Sequence, residues 1–196
     1  MTRFLPGLAI AACATFGLGC NSPATTPPII YGDASAGSPE TPPTYGPDVE
    51  AWLATGAYKK WHCEPAVHAA RSPSPHGFDR VCSNDLVNPT ATDEDAGPWP
   101  TGAAEVKELY VAILTDGGGP AGYAVSLKTA PDVAGDAGAN WYWYERQTDQ
   151  SIEADGLGTP NSQANSICVS CHVAAGSGPS YTPSPGSRDL VYTPVP

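Results

Sequence analysis

The chain has 196 residues, 9 Lys+Arg against 20 Asp+Glu, and a formal net charge of −11 with histidines neutral. Only 15% of its residues are charged, against roughly 25% in an average soluble domain, so the acidity reflects scarce Lys and Arg more than acidic runs. That balance argues against nucleic acid, whose phosphates need a basic footprint. With 21 Gly and 22 Pro, long helices and a helical bundle are disfavoured, and a loop-rich, mainly β (α+β) domain is favoured.

In chain order, Arg3 precedes an apolar run from Phe4 to Gly19 that ends at Cys20. A short positive start and a run of this length read as a secretory signal over residues 1–19. A spanning helix needs about 20 apolar residues, and Pro6 shortens the usable run. A retained N-terminal anchor and an ordinary cleavage site are the alternatives. Gly17-Leu18-Gly19-Cys20 resembles a bacterial lipobox, which implies acylation of Cys20 and a membrane-anchored protein facing the periplasm or cell exterior. Residues 20–48 are rich in Pro, Thr, Ser and Gly with few large apolar side chains. Such a stretch buries too little to offset its ordering entropy and reads as a tether.

The folded domain is expected over residues 49–196. Val49, Trp52, Leu53 and Tyr58 suggest a short helix ending near Gly56, and Gly77 to Leu86 reads as extended. Residues 89–102 read as loop. Ala103 to Thr115 is apolar on both faces, as in a central strand, with Lys107 on the same side as Leu109 and Val111. Tyr123–Thr129 and Asn140–Arg146 alternate and follow glycine-rich turns, so the three strands argue an antiparallel sheet. A short helix opened by Asn161 to Asn165 then carries Cys168–His172, and a proline-rich segment follows.

The cysteines divide by position. Cys13 belongs to the signal and Cys20 to the lipobox, while Cys168 and Cys171 form Cys-Val-Ser-Cys-His with His172. Cys63 and Cys82 remain as an even pair, which in an exported chain is expected to form a disulfide; two buried thiols are the alternative. C-x-x-C-H spacing lets two thiols add across the vinyl groups of one haem while the adjacent histidine becomes the proximal iron ligand. The rival readings are a redox dithiol, which wants a thioredoxin-like βαβ pattern, and half of a zinc site, which wants a second ligand pair.

An absence sharpens this reading. The one methionine is Met1, so the mature chain has no Met to serve as the sixth ligand common in electron-transfer cytochromes c. His62, His68 and His76 are the imidazoles left for a bis-histidine site. The other expectation is an open axial position, which means small-molecule chemistry.

The order of motifs resembles the cytochrome P-460 family, including the β-sheet cytochromes c′, over roughly Trp52 to Val195. The resemblance rests on His76-Gly77 with Arg80 and Asn84, on Trp99-Pro100-x-Gly102 leading into Val106-Lys107-Glu108-Leu109, and on Gly122-Tyr123. It continues through Asn140-Trp141 with Trp143 and Tyr144, then Cys168–His172, and ends in Val191-Tyr192-Thr193-Pro194-Val195. It implies a mostly antiparallel β fold, one covalently bound c-type haem with five-coordinate iron on His172, commonly a homodimer, and an electron-transfer partner. It also implies binding or oxidation of hydroxylamine or nitric oxide.

In the enzymatic members a lysine in a context like that of Lys107 is joined to the haem edge. By the same resemblance Arg80 lies near the distal pocket, orienting a ligand or pairing a propionate. A distal carboxylate is also implied; Asp132 falls close in sequence but in a dissimilar loop. Of Trp141, Trp143 and Tyr144, at least two are expected to be sheet core rather than pocket wall. The non-enzymatic alternatives are a nitric oxide-binding protein and a bis-histidine electron carrier.

Overall fold

The computed structural model describes residues 41–71, 74–87, 98–113, 118–132, 138–175 and 189–195. The signal at 1–19, Cys20, most of the tether and much of the 89–102 loop therefore lie outside the described residues. Among the described residues, no helix is long and apolar enough to cross a membrane.

Five strands form an antiparallel meander: β3 (Phe78–Ser83), β4 (Ala104–Tyr110), β5 (Gly122–Lys128), β6 (Trp141–Arg146) and β7 (Ile152–Leu157). Two short strands, β1 (His62–Cys63) and β2 (His68–Ala69), both pair with the outer edge of β3 and complete a seven-stranded sheet. His62 and His68, two of the three candidate sixth ligands, therefore sit in strands at the sheet edge. The expected strand over 103–115 ends at Tyr110. Its pairing with β3 stops at Phe78↔Tyr110 and with β5 at Leu109↔Gly122, so Val111 and Ile113 lie past both ladders and are exposed. β7 had no sequence reading; its short apolar side chains, Ala154 and Gly156, alternate too weakly to announce a strand.

Register assigns each side chain to one of two faces, because successive strand residues point in opposite directions. Cys82, Val106, Val125 and Tyr144 lie in register across one face, next to the row Arg80, Glu108, Tyr123 and Arg146. The other face carries the rows Val81, Lys107, Ala124, Glu145 and Ser83, Glu105, Ser126, Trp143.

Helix α1 (Gly46–Thr55) closes the first face. It begins inside the stretch read as tether, with proline in its first turn, where a missing N–H costs nothing. It ends at Gly56 in the left-handed conformation (φ 69°), whose N–H caps the Leu53 carbonyl. Val49, Trp52 and Leu53 pack with Tyr58, Trp61, Val106, Val125, Tyr142 and Tyr144 in one apolar cluster. Carboxylates tie this layer together. Asp155 accepts from the Gly46 N–H at 3.1 Å and from the Tyr142 hydroxyl at 2.5 Å, and Glu50 accepts from Tyr144 and from Arg146 Nε.

Glu108, 1% exposed, accepts from Tyr58 Oη at 2.6 Å, Tyr110 Oη at 2.7 Å and Arg80 Nε at 2.7 Å. Burial pushes its pKa up, but these three donors outweigh burial and hold the carboxyl below the usual range. Cys63 and Cys82, register partners on β1 and β3, are joined in a disulfide that pins the sheet edge across 19 residues of sequence.

Two stability predictions arise here. Glu108→Ala leaves three donors without their acceptor and should cost about 2–4 kcal/mol in urea unfolding; a loss under about 0.5 kcal/mol would contradict the network's role. Replacing both Cys63 and Cys82 by Ala should cost about 2–4 kcal/mol, read as a drop in the denaturation midpoint.

Candidate functional site

On the second face the sheet forms the wall of a cavity of about 940 Å³, near the top of the size range of small-molecule sites. Lys107, Glu105, Trp143 and Glu145 project into it from β4 and β6, and Asp79 from β3. The segment that carries Cys168, Cys171 and His172 also lines it, touching β6 through Glu145 and Trp143.

Local chemistry holds that segment in place. The Gly158 N–H bonds the Trp141 carbonyl at 2.9 Å, and Asn165 Nδ2 returns a bond to the Gly158 carbonyl at 2.9 Å. Ser162 Oγ accepts from the Asn165 N–H at 3.0 Å. A π-helical turn (Asn165–Val169) then runs into α2 (Ser170–His172), an irregularity frequent at functional sites. Val169, between the two cysteines, seats over Gly158, where an added Cβ would come within 2.5 Å of its side chain. Glycine is required there by close approach rather than by backbone freedom.

Both cysteines are thiols rather than a disulfide. Cys168 is buried 3.7 Å from Glu145 Oε2, and burial together with that carboxylate pushes its pKa up. His172 lies edge-on to Trp143 (4.7 Å between centroids) and tilted against Tyr192 (5.1 Å). Its Nδ1 stands 2.6 Å from the Leu190 carbonyl. A carbonyl only accepts, so Nδ1 carries the proton. Burial, with the Lys107 charge, lowers the ring's pKa to about 4 despite that bond, so the ring is neutral and Nε2 keeps its lone pair. This is the arrangement found in metal-ligating histidines, whose second nitrogen is fixed by a carbonyl or carboxylate.

The carbonyl itself is positioned at a cost. Asp189 and Leu190 adopt positive φ (43° and 68°), a conformation that strains residues other than glycine. Asp189 is gripped by Lys128 Nζ at 2.6 Å and by the Trp99 N–H at 2.8 Å.

Burial sets the charge states of the remaining wall. His76 is driven down to about 3 by desolvation and then by Lys107 and His172; its Nδ1 is buried without a hydrogen-bond partner, 3.7 Å from Glu145 Oε1. Glu145 is raised, chiefly by burial. Burial raises Glu105 to about 7 against the pull of the Ser83 hydroxyl and Lys107. Lys107 Nζ lies 3.5 Å from Asp79 Oδ2.

The sequence-derived residues thus divide. Lys107, Cys168, Cys171, His172, His68 and His76 share the cavity. Arg80 does not: strand alternation puts it on the opposite face, against Glu108. His62 pairs with Asp85 at the surface. Asp132 pairs with Lys128 and accepts from Asn140 outside the cavity lining. Trp141, Trp143 and Tyr144 all pack in the core; Trp143 and Tyr144 also line the cavity, and Tyr144 directs its hydroxyl away to Glu50. Glu105, Asp79 and Glu145 had not been singled out. The alternation Ala-Glu-Val-Lys-Glu already places Glu105 beside Lys107, but bringing Glu145 opposite them takes the β4–β5–β6 register.

No protein-family model, curated protein or solved structure matches this chain.

The Glu105 carboxyl gives a pH prediction. Its folded pKa lies above its unfolded value, so its stabilising contribution is complete below about pH 4.5 and is lost as pH rises through about 7. Glu105→Gln should remove that loss, gaining on the order of 3 kcal/mol over the parent at about pH 8 and nothing at about pH 4. Urea midpoints at the two pH values check it; equal shifts at both would refute the assignment.

Proposed function

We propose that this chain is an exported, lipid-anchored monohaem c-type cytochrome whose cavity binds or oxidises small nitrogen species such as hydroxylamine or nitric oxide. The observation that carries the reading is the convergence of two thiols and a neutral, carbonyl-oriented imidazole on one cavity. The donor set fits haem c: Cys168 and Cys171 as thioether donors and His172 Nε2 as iron ligand. Bound there, the haem supplies an iron centre able to bind a small ligand and pass electrons to a partner.

The chain's own contributions are distinct. Trp143 and Tyr192 fix the plane of His172, and Leu190 fixes its tautomer. Lys107 reaches the cavity from the sheet, the position from which the family resemblance has a lysine meet the haem edge. Glu145, with its raised pKa, is a buried carboxylate able to hold or release a proton at Oε1 or Oε2. It, rather than Asp132, which lies outside the cavity lining, would be the carboxylate available for the proton transfer that the resemblance implies.

One observation favours the electron-carrier alternative. His76 is neutral, lines the same cavity and has an unbonded Nδ1, so it is the histidine best placed to become a sixth ligand.

The full chain, produced in a host that assembles c-type cytochromes, should retain one haem through denaturation, read by intact mass, and lose it when Cys168 and Cys171 are both changed to Ala. Colourless product from that host would overturn the proposal. A high-spin spectrum is expected; a low-spin spectrum abolished by His76→Ala would establish the carrier reading instead. A Lys107→Ala variant should alter the haem spectrum in denaturant, and an unchanged spectrum would retire the crosslink and with it the hydroxylamine-oxidising reading.

A further inference from the structure

A second cluster of ligating groups lies on the rim of the same cavity and takes no part in holding a haem. Glu64, His68 and Asp79 each bring one donor atom into a set whose members all lie within 4.8 Å of one another. They come from the β1–β2 connection, from β2 and from β3. The backbone fixes all three: His68 and Asp79 are register partners, and Glu64 follows the disulfide-bonded Cys63.

Their hydrogen bonding is incomplete in an informative way. Asp79 is 3% exposed, yet its Oδ1 is buried with no hydrogen-bond partner. The nearest candidate, His68 Nδ1, is 3.5 Å away and is already committed to the Ala69 carbonyl at 2.8 Å. His68 Nε2 stands 2.9 Å from Glu64 Oε2, which also accepts from the Val81 N–H at 2.9 Å; carbonyl and carboxylate only accept, so without a metal the ring carries both protons, and Nε2 gives one up when a cation binds. A buried carboxylate oxygen with no donor is costly, and a missing ion is one of its ordinary explanations. The imidazole is oriented by a carbonyl on its far nitrogen, the second-shell arrangement of a metal ligand.

We propose that Glu64, His68 and Asp79 form a binding site for a divalent cation of the zinc class, with water completing the coordination. One imidazole and two carboxylates suit zinc and neighbouring first-row ions, and the lack of sulfur disfavours copper(I). Metal–ligand bonds of about 2.0–2.2 Å place tetrahedral donors about 3.3–3.6 Å apart, so donors up to 4.8 Å apart must close by about an ångström. Two cations bear on the site from outside: Arg71, 3.6 Å from Glu64 Oε1, and Lys107, 3.5 Å from Asp79 Oδ2. Both oppose metal binding, which makes Lys107 a brake on the site. The proposed ligands include none of Cys168, Cys171 and His172; Lys107, which the functional reading places at the haem edge, enters here only through its charge beside Asp79.

The test uses chelator-treated full chain titrated with Zn²⁺ by calorimetry and with Co²⁺ by visible absorption. Because Cys168, Cys171 and His172 offer a competing site, both titrations are repeated on the Cys168→Ser/Cys171→Ser variant. The expected result is one ion per chain in both proteins, without a thiolate-to-cobalt charge-transfer band in the serine variant. Asp79→Asn and His68→Gln should each weaken binding at least about tenfold, and Lys107→Gln should tighten it. A melting temperature raised by Zn²⁺ in the parent and unmoved in Asp79→Asn confirms that the readout comes from folded protein. Absence of binding, binding unchanged by the Asp79 and His68 substitutions, or binding lost only with the cysteines would each overturn the site. The three side chains would then be an ion-pair cluster alone.

Discussion

The arrangement depends on one buried charge. Lys128 has no solvent-exposed side-chain surface, and a lone ammonium in that position would be prohibitively costly. It is made tolerable by Asp189 at 2.6 Å, by Asp132 at 2.7 Å and by the face of Trp141. The consequence reaches beyond electrostatics. Asp189 is held by the end of β5, so Leu190 is held too, and its carbonyl is what selects the tautomer of His172. A sheet residue thereby positions the imidazole that lines the cavity, and the pairing offsets the strain of two left-handed residues.

The two faces of the sheet solve opposite problems with the same residue types. Beneath α1, Glu50, Glu108 and Asp155 each accept from tyrosine hydroxyls as well as other donors, so these carboxylates are held among their donors, while Trp52 Nε1 and Trp61 Nε1 in the same core lack a partner. On the cavity side, burial moves Glu105, Glu145 and His76 toward their neutral forms, and His76 Nδ1 and Asp79 Oδ1 are buried without a hydrogen-bond partner. Titratable groups shifted by burial and gathered in one cleft are candidates for chemistry. That contrast is physical support for assigning chemistry to one face and stability to the other.

Much of this was legible in the chain itself. Alternation in Ala104–Tyr110, Gly122–Lys128 and Trp141–Arg146, separated by glycine turns, is strong enough to give an antiparallel sheet, and Gly56 marks the end of α1. The Cys63–Cys82 pairing followed from counting cysteines. Other features were hidden for identifiable reasons. β1 and β2 are two residues each, too short for any period, and the inner apolar positions of β7 are only Ala154 and Gly156. Arg80 was placed near the cavity by the family resemblance alone, and strand alternation puts it on the other face, against Glu108. The roles of Asp189 and Leu190 depend on positive φ at residues not known for it, which no local pattern announces.

The π-helical turn at Asn165–Val169 carries a consequence for how this segment tolerates change. A wide turn accommodates one residue more than an α-helix of the same rise. Deleting a single residue just upstream of Asn165 would let the coil rewind to ordinary α geometry with its backbone bonding intact. Later side chains would keep their directions, because the wide turn spreads the same rotation over one residue more. One inserted residue with no second wide turn to absorb it would instead rotate the Cys168–His172 motif by about 100° around the axis, turning its sulfur atoms aside while the helix stays bonded.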